Sequence, residues 1–258
     1  GQFVHLRDGS AGLVGQIYTS NGVPHTRTNF GASTTITLFD ELNRLGKLTH
    51  DLAGTTNDVN YDFRYNPASQ LTRMGISNNL YHPQLSSFIG QTNYTANGLN
   101  QYTGTGFNYD LNGNLTKSGS VNYVYDGENR LTAVGAQPLK YDALGRLHEY
   151  RANGTTTRFV YMGNALVAEY DINGTLLKRY VHAPGGEAPL VSYTGSDTSP
   201  ASRQFLHFNQ QGSVIAISDV SGNIVARNTY DEYGIPGTAN QGRFGYTGQI
   251  YLRDYGLY

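Results

Sequence analysis

The sequence predicts an all-β protein in which tandem β-hairpins pair side by side into a long, coiling antiparallel sheet. A short turn motif recurs along the chain, and the residues on either side of it alternate as strand residues do. The composition agrees, because Gly (32 residues) and Tyr (21 residues) are abundant while only 14% of the residues are charged. Ordinary globular proteins have roughly 25% charged residues.

The repeated turn begins with an aromatic residue and Asp, has Gly or Asn three residues after the Asp, and ends on an apolar residue. Tyr109, Tyr125 and Tyr141 open three copies at a constant spacing of 16 residues. Because a lone hairpin is only marginally stable in water, the copies are expected to pair with one another. Looser copies begin at Phe39, Tyr65, Tyr170, Ser218 and Tyr230.

Turn chemistry explains the spacing within each copy. Asp or Asn at the first turn position accepts hydrogen bonds from backbone N–H groups ahead of it, and Gly or Asn three residues later adopts a left-handed conformation. Pro67, directly after Asn66, fits because its fixed φ suits the second turn position. We interpret these acids as structural rather than catalytic. The predicted turn residues are Asp40, Asn66, Asp110, Gly113, Asp126, Asp142, Gly145, Asp171, Gly174, Asp219, Gly222, Asp231 and Gly234.

The repeated aromatic residues are predicted to pack within the sheet. A Tyr ring buries a large apolar area while its hydroxyl still reaches water or a backbone partner. The alternative is that exposed Tyr rings stack against sugars, and sequence alone leaves that alternative open. The repeat aromatics are Tyr65, Tyr109, Tyr125, Tyr141, Tyr170 and Tyr230.

Three segments are predicted along the chain. Residues 1–38 form strands without a clear repeat, residues 39–176 form the repeat hairpins with an insertion or loop at about 76–106, and residues 177–258 form a third region. Within that region, Gly- and Pro-rich turn signals predict a loop over residues 183–203. No amphipathic helix is predicted.

Composition argues against several classes of function. The net charge of −1 and the scattered Lys and Arg residues argue against a nucleic-acid partner, and no apolar run is long enough to span a membrane. Without Cys, thiolate chemistry is excluded. The seven His residues lack metal-ligand spacing, so no metal or cofactor is predicted.

Catalytic residues are not predicted either. No nucleophile motif is present, and the acids outside the repeat turns have no evident partners. We interpret His182 and His207 as bonding the backbone of a neighbouring strand or loop. The unassigned acids are Glu128, Glu149, Glu169, Glu187 and Glu232.

The Tyr-Asp-x-x-Gly-Arg-Leu spacing resembles the YD repeat of the Rhs family, which includes bacterial polymorphic toxins, toxin-complex subunits and teneurins. Later segments resemble the Rhs-associated core in order and spacing, although Asn209 stands where the family often has Asp and Gln211 where it often has Leu. The resemblance makes residues 177–258 a core-like region that stops before the self-cleavage motif, which would lie beyond Tyr258. The core-like segments run over 179–190, 207–223, 230–234, 244–249 and 256–258.

The resemblance implies a non-catalytic shell segment of a secreted Rhs-type toxin, enclosing a C-terminal toxin that this chain lacks. The implied partners are the rest of the shell and that toxin, together with a secretion spike and an immunity protein. The implied location is outside the cell or on its surface. A second hypothesis is an extracellular scaffold that forms homo-oligomers through strand edges or binds glycans. A third is a carbohydrate-active enzyme.

Overall fold

The computed structural model describes residues 4–9, 11–30, 33–83, 93–186 and 188–258. Twenty strands lie within these residues, together with four single-turn 3-10 helices at Thr55–Asn57, Asn79–Tyr81, Pro200–Ser202 and Tyr246–Gly248. The all-β prediction is therefore confirmed. In the part of the chain that the structure describes, no helix is long and apolar enough to cross a membrane.

Seven strands form the first antiparallel sheet, and they follow one another in chain order. Six hairpins connect them, which is the arrangement that the repeated turn motif predicts. The strands are β1 (His5–Asp8), β2 (Ala11–Tyr18), β3 (Pro24–Asn29), β4 (Ser33–Phe39), β5 (Leu45–Asp51), β6 (Val59–Tyr65) and β7 (Leu71–Ile76).

The second antiparallel sheet contains thirteen strands, again in chain order. Its first, third and fifth hairpins contain the three closely spaced repeat copies. The strands are β8 (Phe107–Tyr109), β9 (Leu115–Ser118), β10 (Val121–Tyr125), β11 (Leu131–Val134), β12 (Gln137–Tyr141), β13 (Leu147–Ala152), β14 (Thr155–Met162), β15 (Ala165–Asp171), β16 (Leu176–His182), β17 (Pro189–Thr194), β18 (Arg203–Phe208), β19 (Val214–Ser218) and β20 (Ile224–Arg227).

One prediction is wrong, because β17 lies inside the segment that was predicted as a loop over 183–203. Its first five residues, Pro189 to Tyr193, are buried. A short apolar run with Gly-rich segments on both sides is also what a fully buried central strand looks like. The turn signals therefore marked the two ends of a strand.

The predicted insertion at about 76–106 contains little regular structure. It holds the 3-10 turn at Asn79–Tyr81 and a tight turn closed by the Ala96–Tyr102 bridge. Its residues 84–92 lie outside the described part of the chain. The three predicted segments as such stay a prediction.

The chain divides into two compact units. Unit 1 contains residues 1–86, 178–252 and 258, and unit 2 contains residues 87–177 and 253–257. Strands β1–β7 and β17–β20 belong to unit 1 and β8–β15 belong to unit 2, while β16 lies in unit 2 for its first two residues and in unit 1 from Lys178 onward.

Two apolar clusters lie between the two groups of strands in unit 1. In the first, Leu13 and Val14 of β2 pack with Val191 of β17 and Phe205 of β18. In the second, buried residues of β5 and β6 pack with β19, and they include Leu48, Val59, Tyr61, Phe63, Ile215 and Ala216. Within unit 1, the seven-stranded sheet and the last strands of the second sheet turn their apolar faces toward each other, as in a sandwich.

Unit 2 has a smaller core on one face of its strands. Phe159 and Leu166 are each only 1% exposed, and the Tyr150 ring lies 5.5 Å from the Phe159 ring. The segment after β20 returns to this unit, where Asn153 Nδ2 donates to Asp254 Oδ1 (2.8 Å) and the Tyr255 hydroxyl donates to the Arg151 carbonyl.

Candidate functional site

The repeat turn is a closed network around one carboxylate, and Asp142 shows it in full. Asp142 Oδ1 accepts hydrogen bonds from the backbone N–H of Leu144 (2.9 Å) and of Arg146 (3.0 Å). Asp142 Oδ2 accepts from Arg146 Nε at 2.7 Å. These bonds, the Arg146 side chain first, hold the pKa of the Asp142 carboxyl below its ordinary value. All of these hydrogen bonds to the carboxylate come from its own turn.

The backbone of the same turn fixes the reversal of the chain. Gly145 N–H donates to Asp142 O (3.0 Å), and Asp142 N–H donates to Arg146 O (2.9 Å). Gly145 has φ +79°, and the register of β12 with β13 shifts between Lys140 and Tyr141. This is a type I turn followed by a residue in the left-handed region that forms a bulge.

The other predicted turn heads lie in the same arrangement, each accepting hydrogen bonds from the backbone N–H groups two or four residues ahead. Arg44 and Arg130 also donate from Nε to Asp40 and Asp126. At Asn66, Gln70 N–H donates to the side-chain oxygen (2.9 Å). The heads are Asp40, Asn66, Asp110, Asp126, Asp171, Asp219 and Asp231, and Gly113, Gly174, Gly222 and Gly234 all have positive φ.

Three further turns of this kind escaped the sequence analysis. Thr19 Oγ1 accepts from Val23 N–H (3.1 Å), Asn97 Oδ1 from Leu99 N–H (2.8 Å), and Asn209 Oδ1 from Gln211 N–H (3.0 Å). A hydroxyl or an amide replaces the carboxylate in these turns. The signal that could have found them is Gly or Asn three residues after any Thr or Asn at a strand end.

Successive hairpins are tied together by a contact that the motif does not reveal. The Arg130 guanidinium lies over the Tyr141 ring, 5.3 Å from its centroid, and the Tyr141 hydroxyl donates to Leu131 O at 2.8 Å. Each Tyr therefore covers the Arg of the preceding turn and satisfies the carbonyl of the residue after that Arg. We call this three-residue contact a rung.

Two more rungs have the same geometry. In one, Arg146 lies 4.9 Å from the Tyr161 centroid, and the Tyr161 hydroxyl donates to Leu147 O at 2.8 Å. In the other, the Arg44 guanidinium lies 4.8 Å from the Tyr65 centroid, and the Tyr65 hydroxyl donates to Leu45 O at 2.9 Å. Tyr161 was missed by the sequence analysis because Met162, and not Asp, follows it.

The remaining predicted aromatics lie at other positions of the sheet. Tyr230 is 7% exposed and donates its hydroxyl to Val214 O (2.9 Å), whereas the Tyr109 hydroxyl accepts from Tyr102 N–H (3.0 Å). Tyr125 and Tyr170 are half-buried. Burial raises the pKa of Tyr125 and Tyr141.

A buried polar row crosses three strands of unit 1 between its two apolar clusters. Arg27, Thr35 and His50 are direct neighbours on β3, β4 and β5. Arg27 Nη2 donates to Thr35 Oγ1 (3.3 Å), and Thr35 Oγ1 lies 3.1 Å from His50 Nδ1. His50 Nε2 lies 2.9 Å from Phe208 O, so this nitrogen carries the proton and Nδ1 accepts from Thr35.

His207 of β18 completes this polar cluster, which we define as Arg27, Thr35, His50, His207 and Ser218. The His207 ring lies 5.7 Å from the His50 ring, edge to face, and its Nε2 lies 2.8 Å from Ser218 Oγ. Burial first, and then the nearby charge of Arg27, lowers the pKa of His50 to about 3. Burial also lowers the pKa of His207 well below its ordinary value, and both rings are neutral.

His207 was predicted to bond a backbone group, whereas its Nε2 is bonded to the side-chain hydroxyl of Ser218 on the neighbouring strand β19. His182 packs edge to face against Phe244, with the ring centroids 6.1 Å apart. Among the unassigned acids, Glu149 is held by Lys140 (2.6 Å) and Arg158 (2.8 Å), while Glu187 lies outside the described residues. Within the described ranges, no group of three or more His, Asp or Glu side chains is arranged to hold a metal ion.

The fold and its repeated turns define a class of protein, the β-hairpin shells built from Tyr-Asp repeats. A family model described as the teneurin YD-shell matches residues 43–257. The chain belongs to this family, and the resemblance to YD-repeat proteins predicted from the sequence is confirmed.

Curated relatives with matching sequences are bacterial. The chain is 31% identical over 235 residues to the tRNA3(Ser)-specific nuclease WapA of Bacillus spizizenii and 30% identical over 235 residues to the tRNA nuclease WapA of Bacillus subtilis. Each match covers 85% of this chain and 9% of the relative. The chain therefore corresponds to less than a tenth of the length of these relatives.

A solved structure has the same fold. A chain of the Photorhabdus luminescens Tc holotoxin pore aligns with a TM-score of 0.55 and 15% identity over 94% of this chain and 17% of that chain. At this level of identity the likeness concerns the fold alone.

Proposed function

We propose that this chain is a non-catalytic segment of a β-shell that encloses a toxic polypeptide cargo of the same protein outside the cell or at its surface. The observation that carries the proposal is the rung, because three such contacts join one hairpin to the next through stacked, half-buried side chains. Repetition of this contact would allow such a sheet to grow hairpin by hairpin. The turn carboxylates are occupied by the turns themselves, which leaves them no role in catalysis.

The rest of the shell and the cargo are the partners that this proposal requires. The family match supports the shell role, and the WapA relatives, named as tRNA nucleases and about ten times longer than the matched region, support a toxic cargo elsewhere in the polypeptide. A secretion spike and an immunity protein are further partners by analogy with the Rhs family.

The test is limited proteolysis of the whole polypeptide that contains this chain. We expect the cargo segment to resist proteinase K in the native protein and to be digested rapidly after thermal unfolding. A matched variant, Arg130→Ala with Tyr141→Ala, removes one rung and should speed digestion of the cargo. Equal digestion of the cargo in native and unfolded protein would refute enclosure.

A second candidate function is self-association through a strand edge, which β7 favours. This strand lies at the edge of the seven-stranded sheet and is exposed over its first four residues, with Leu71 52% and Met74 40% exposed. Exposed edges are templates for pairing with another chain. Light scattering over a concentration series should show growth that Met74→Lys abolishes; a constant mass contradicts this candidate.

A further inference from the structure

An exposed stack of aromatic rings stands out on unit 2, next to the first two turns of that unit. The Tyr94 and Tyr102 rings are stacked, with their centroids 4.6 Å apart and their planes at 30°. The Phe107 ring lies 5.4 Å from the Tyr102 ring. Tyr94 is nevertheless 60% exposed and Tyr102 43% exposed. Stacking takes one face of Tyr94, so the opposite face is open to solvent.

Side-chain amides lie on the turns that flank this stack in the chain. Gln101 uses Oε1 to accept from Asn97 Nδ2 (2.8 Å). Its Nε2 lies 3.8 Å from where a Cβ on Gly113 would be, which places it beside the turn headed by Asp110. Gln101 and Asn114 occupy the turn position that holds Arg in the rungs. These two turns therefore offer amide groups where the rung turns offer a stacked cation.

The amides continue onto the next turn. Asn129 Oδ1 accepts from Asn112 Nδ2 (3.1 Å) and from Asn114 Nδ2 (2.8 Å). Asn129 Nδ2 is left without a protein acceptor among the described contacts, and Asn112 and Asn129 are exposed. The turns headed by Asp110 and Asp126 lie two strands apart, which is about 10 Å. The amide groups thus form a rim that spans two neighbouring turns.

Of the acids near this rim, Asp126 and Glu128 are ion-paired with Arg130, and Asp110 is hydrogen-bonded within its own turn. Asp110 accepts from Asn114 Nδ2 at 2.9 Å, Asp126 from Arg130 Nε at 2.8 Å, and Glu128 from Arg130 Nη1 at 2.9 Å. The surface therefore offers a flat apolar face and neutral donors and acceptors.

We propose that the Tyr94–Tyr102–Phe107 stack and the amide rim bind a neutral oligosaccharide. The apolar C–H face of a pyranose ring packs on an open aromatic face, whose negative quadrupole attracts the C–H hydrogens. Amide groups are both donors and acceptors, which matches the hydroxyl groups of a neutral sugar. The rim reaches over two turns, so the site suits a chain of several sugar units.

Hairpin stabilisation is the competing role for the stack, and it makes different demands. It needs the contact between Tyr94 and Tyr102 but neither the open face of Tyr94 nor the rim amides. A variant of Asn129 leaves the stack intact and removes part of the rim. Tyr233 is 79% exposed on a different turn and serves as the control for losing an exposed ring.

The test is isothermal titration of the full chain with three probes, the soluble hexamers of β-1,4-linked N-acetylglucosamine, β-1,4-linked glucose and α-1,4-linked glucose. We expect one hexamer to bind, Tyr94→Ala to weaken that binding at least tenfold, Asn129→Ala to weaken it several-fold, and Tyr233→Ala to leave it unchanged. Thermal unfolding of each variant checks that the fold is retained. Absence of binding by all three hexamers, or binding that survives both Tyr94→Ala and Asn129→Ala, overturns the proposal.

Discussion

Acid should destabilise unit 1 well above the pH at which carboxylates titrate, because the polar cluster holds two histidines in the neutral form. The pKa of His50 is lowered from 6.5 to about 3, and that of His207 is lowered well below 6.5. Below pH 6.5 the unfolded chain binds protons that the folded chain does not. Stability is therefore fully present above pH 6.5 and is lost as the pH falls toward the folded-state value.

The size of the loss follows from linkage. Lowering the pH from 7.5 to 5 should cost about 2 kcal/mol for each histidine that stays neutral when folded, and so about 4 kcal/mol for His50 and His207 together. The repeat-turn aspartates contribute in a lower window, since their pKa values are depressed below 3.8. The interval from pH 6.5 to 5 thus reports on the histidines.

Urea unfolding followed by near-ultraviolet circular dichroism of the tyrosines measures this effect, as the chain has no Trp. Gln at position 50 keeps a donor for Phe208 O and an acceptor for Thr35 but does not titrate. The double variant His50→Gln with His207→Gln should lose the slope between pH 6.5 and 5, whereas His82→Gln, at an exposed histidine, should keep it. An unfolding free energy that is the same at pH 7.5 and 5, or a slope that survives in the double variant, refutes the reasoning.

Two other substitutions test the rungs and turns by urea unfolding. Tyr141→Phe should lower the unfolding free energy by about 1 kcal/mol because Leu131 O loses its partner, while Tyr123→Phe should change it little; equal effects would show that the rung bond contributes nothing. Gly234→Ala should cost about 2 kcal/mol or more, since φ is +85° and a Cβ would lie 2.6 Å from the Tyr246 ring. Gly127→Ala, with no atom within 4 Å of the new Cβ, should be nearly neutral, and a similar loss in both Gly variants would contradict the steric argument.

The repeat turns could be predicted from sequence because their chemistry is local. Asp142, Gly145 and Arg146 lie within five residues, and the spacing alone states which atoms meet. The alternation of flanking residues then predicts strands and a hairpin. The turn headed by Thr19 shows the limit of this approach, because a hydroxyl accepts the same backbone bond as a carboxylate but is too common in sequences to stand out.

The rungs could not be predicted, because the partners of each Tyr lie at no fixed sequence distance. The Tyr hydroxyl and its carbonyl acceptor are 10 residues apart in one rung, 14 in another and 20 in the third. Strand lengths between turns vary, and only the pairing of the sheet brings the groups together. The Arg–Tyr stack is therefore a property of the assembled sheet and not of the motif.

The polar cluster could not be predicted from the sequence either, because its partners are even farther apart along the chain. Arg27 donates to Leu206 O at 3.4 Å across 179 residues, and His50 donates to Phe208 O across 158. Apolar clusters on either side would allow the two sheets of unit 1 to slide, since burial is non-directional. Hydrogen bonds that cross from β3 and β5 to β18 accept only one register, because any slip leaves a buried histidine or guanidinium without its carbonyl. The cluster thus fixes one alignment of the two sheets of unit 1 at neutral pH. Protonation of His50 and His207 places positive charge in this buried cluster beside Arg27 and so destabilises that alignment.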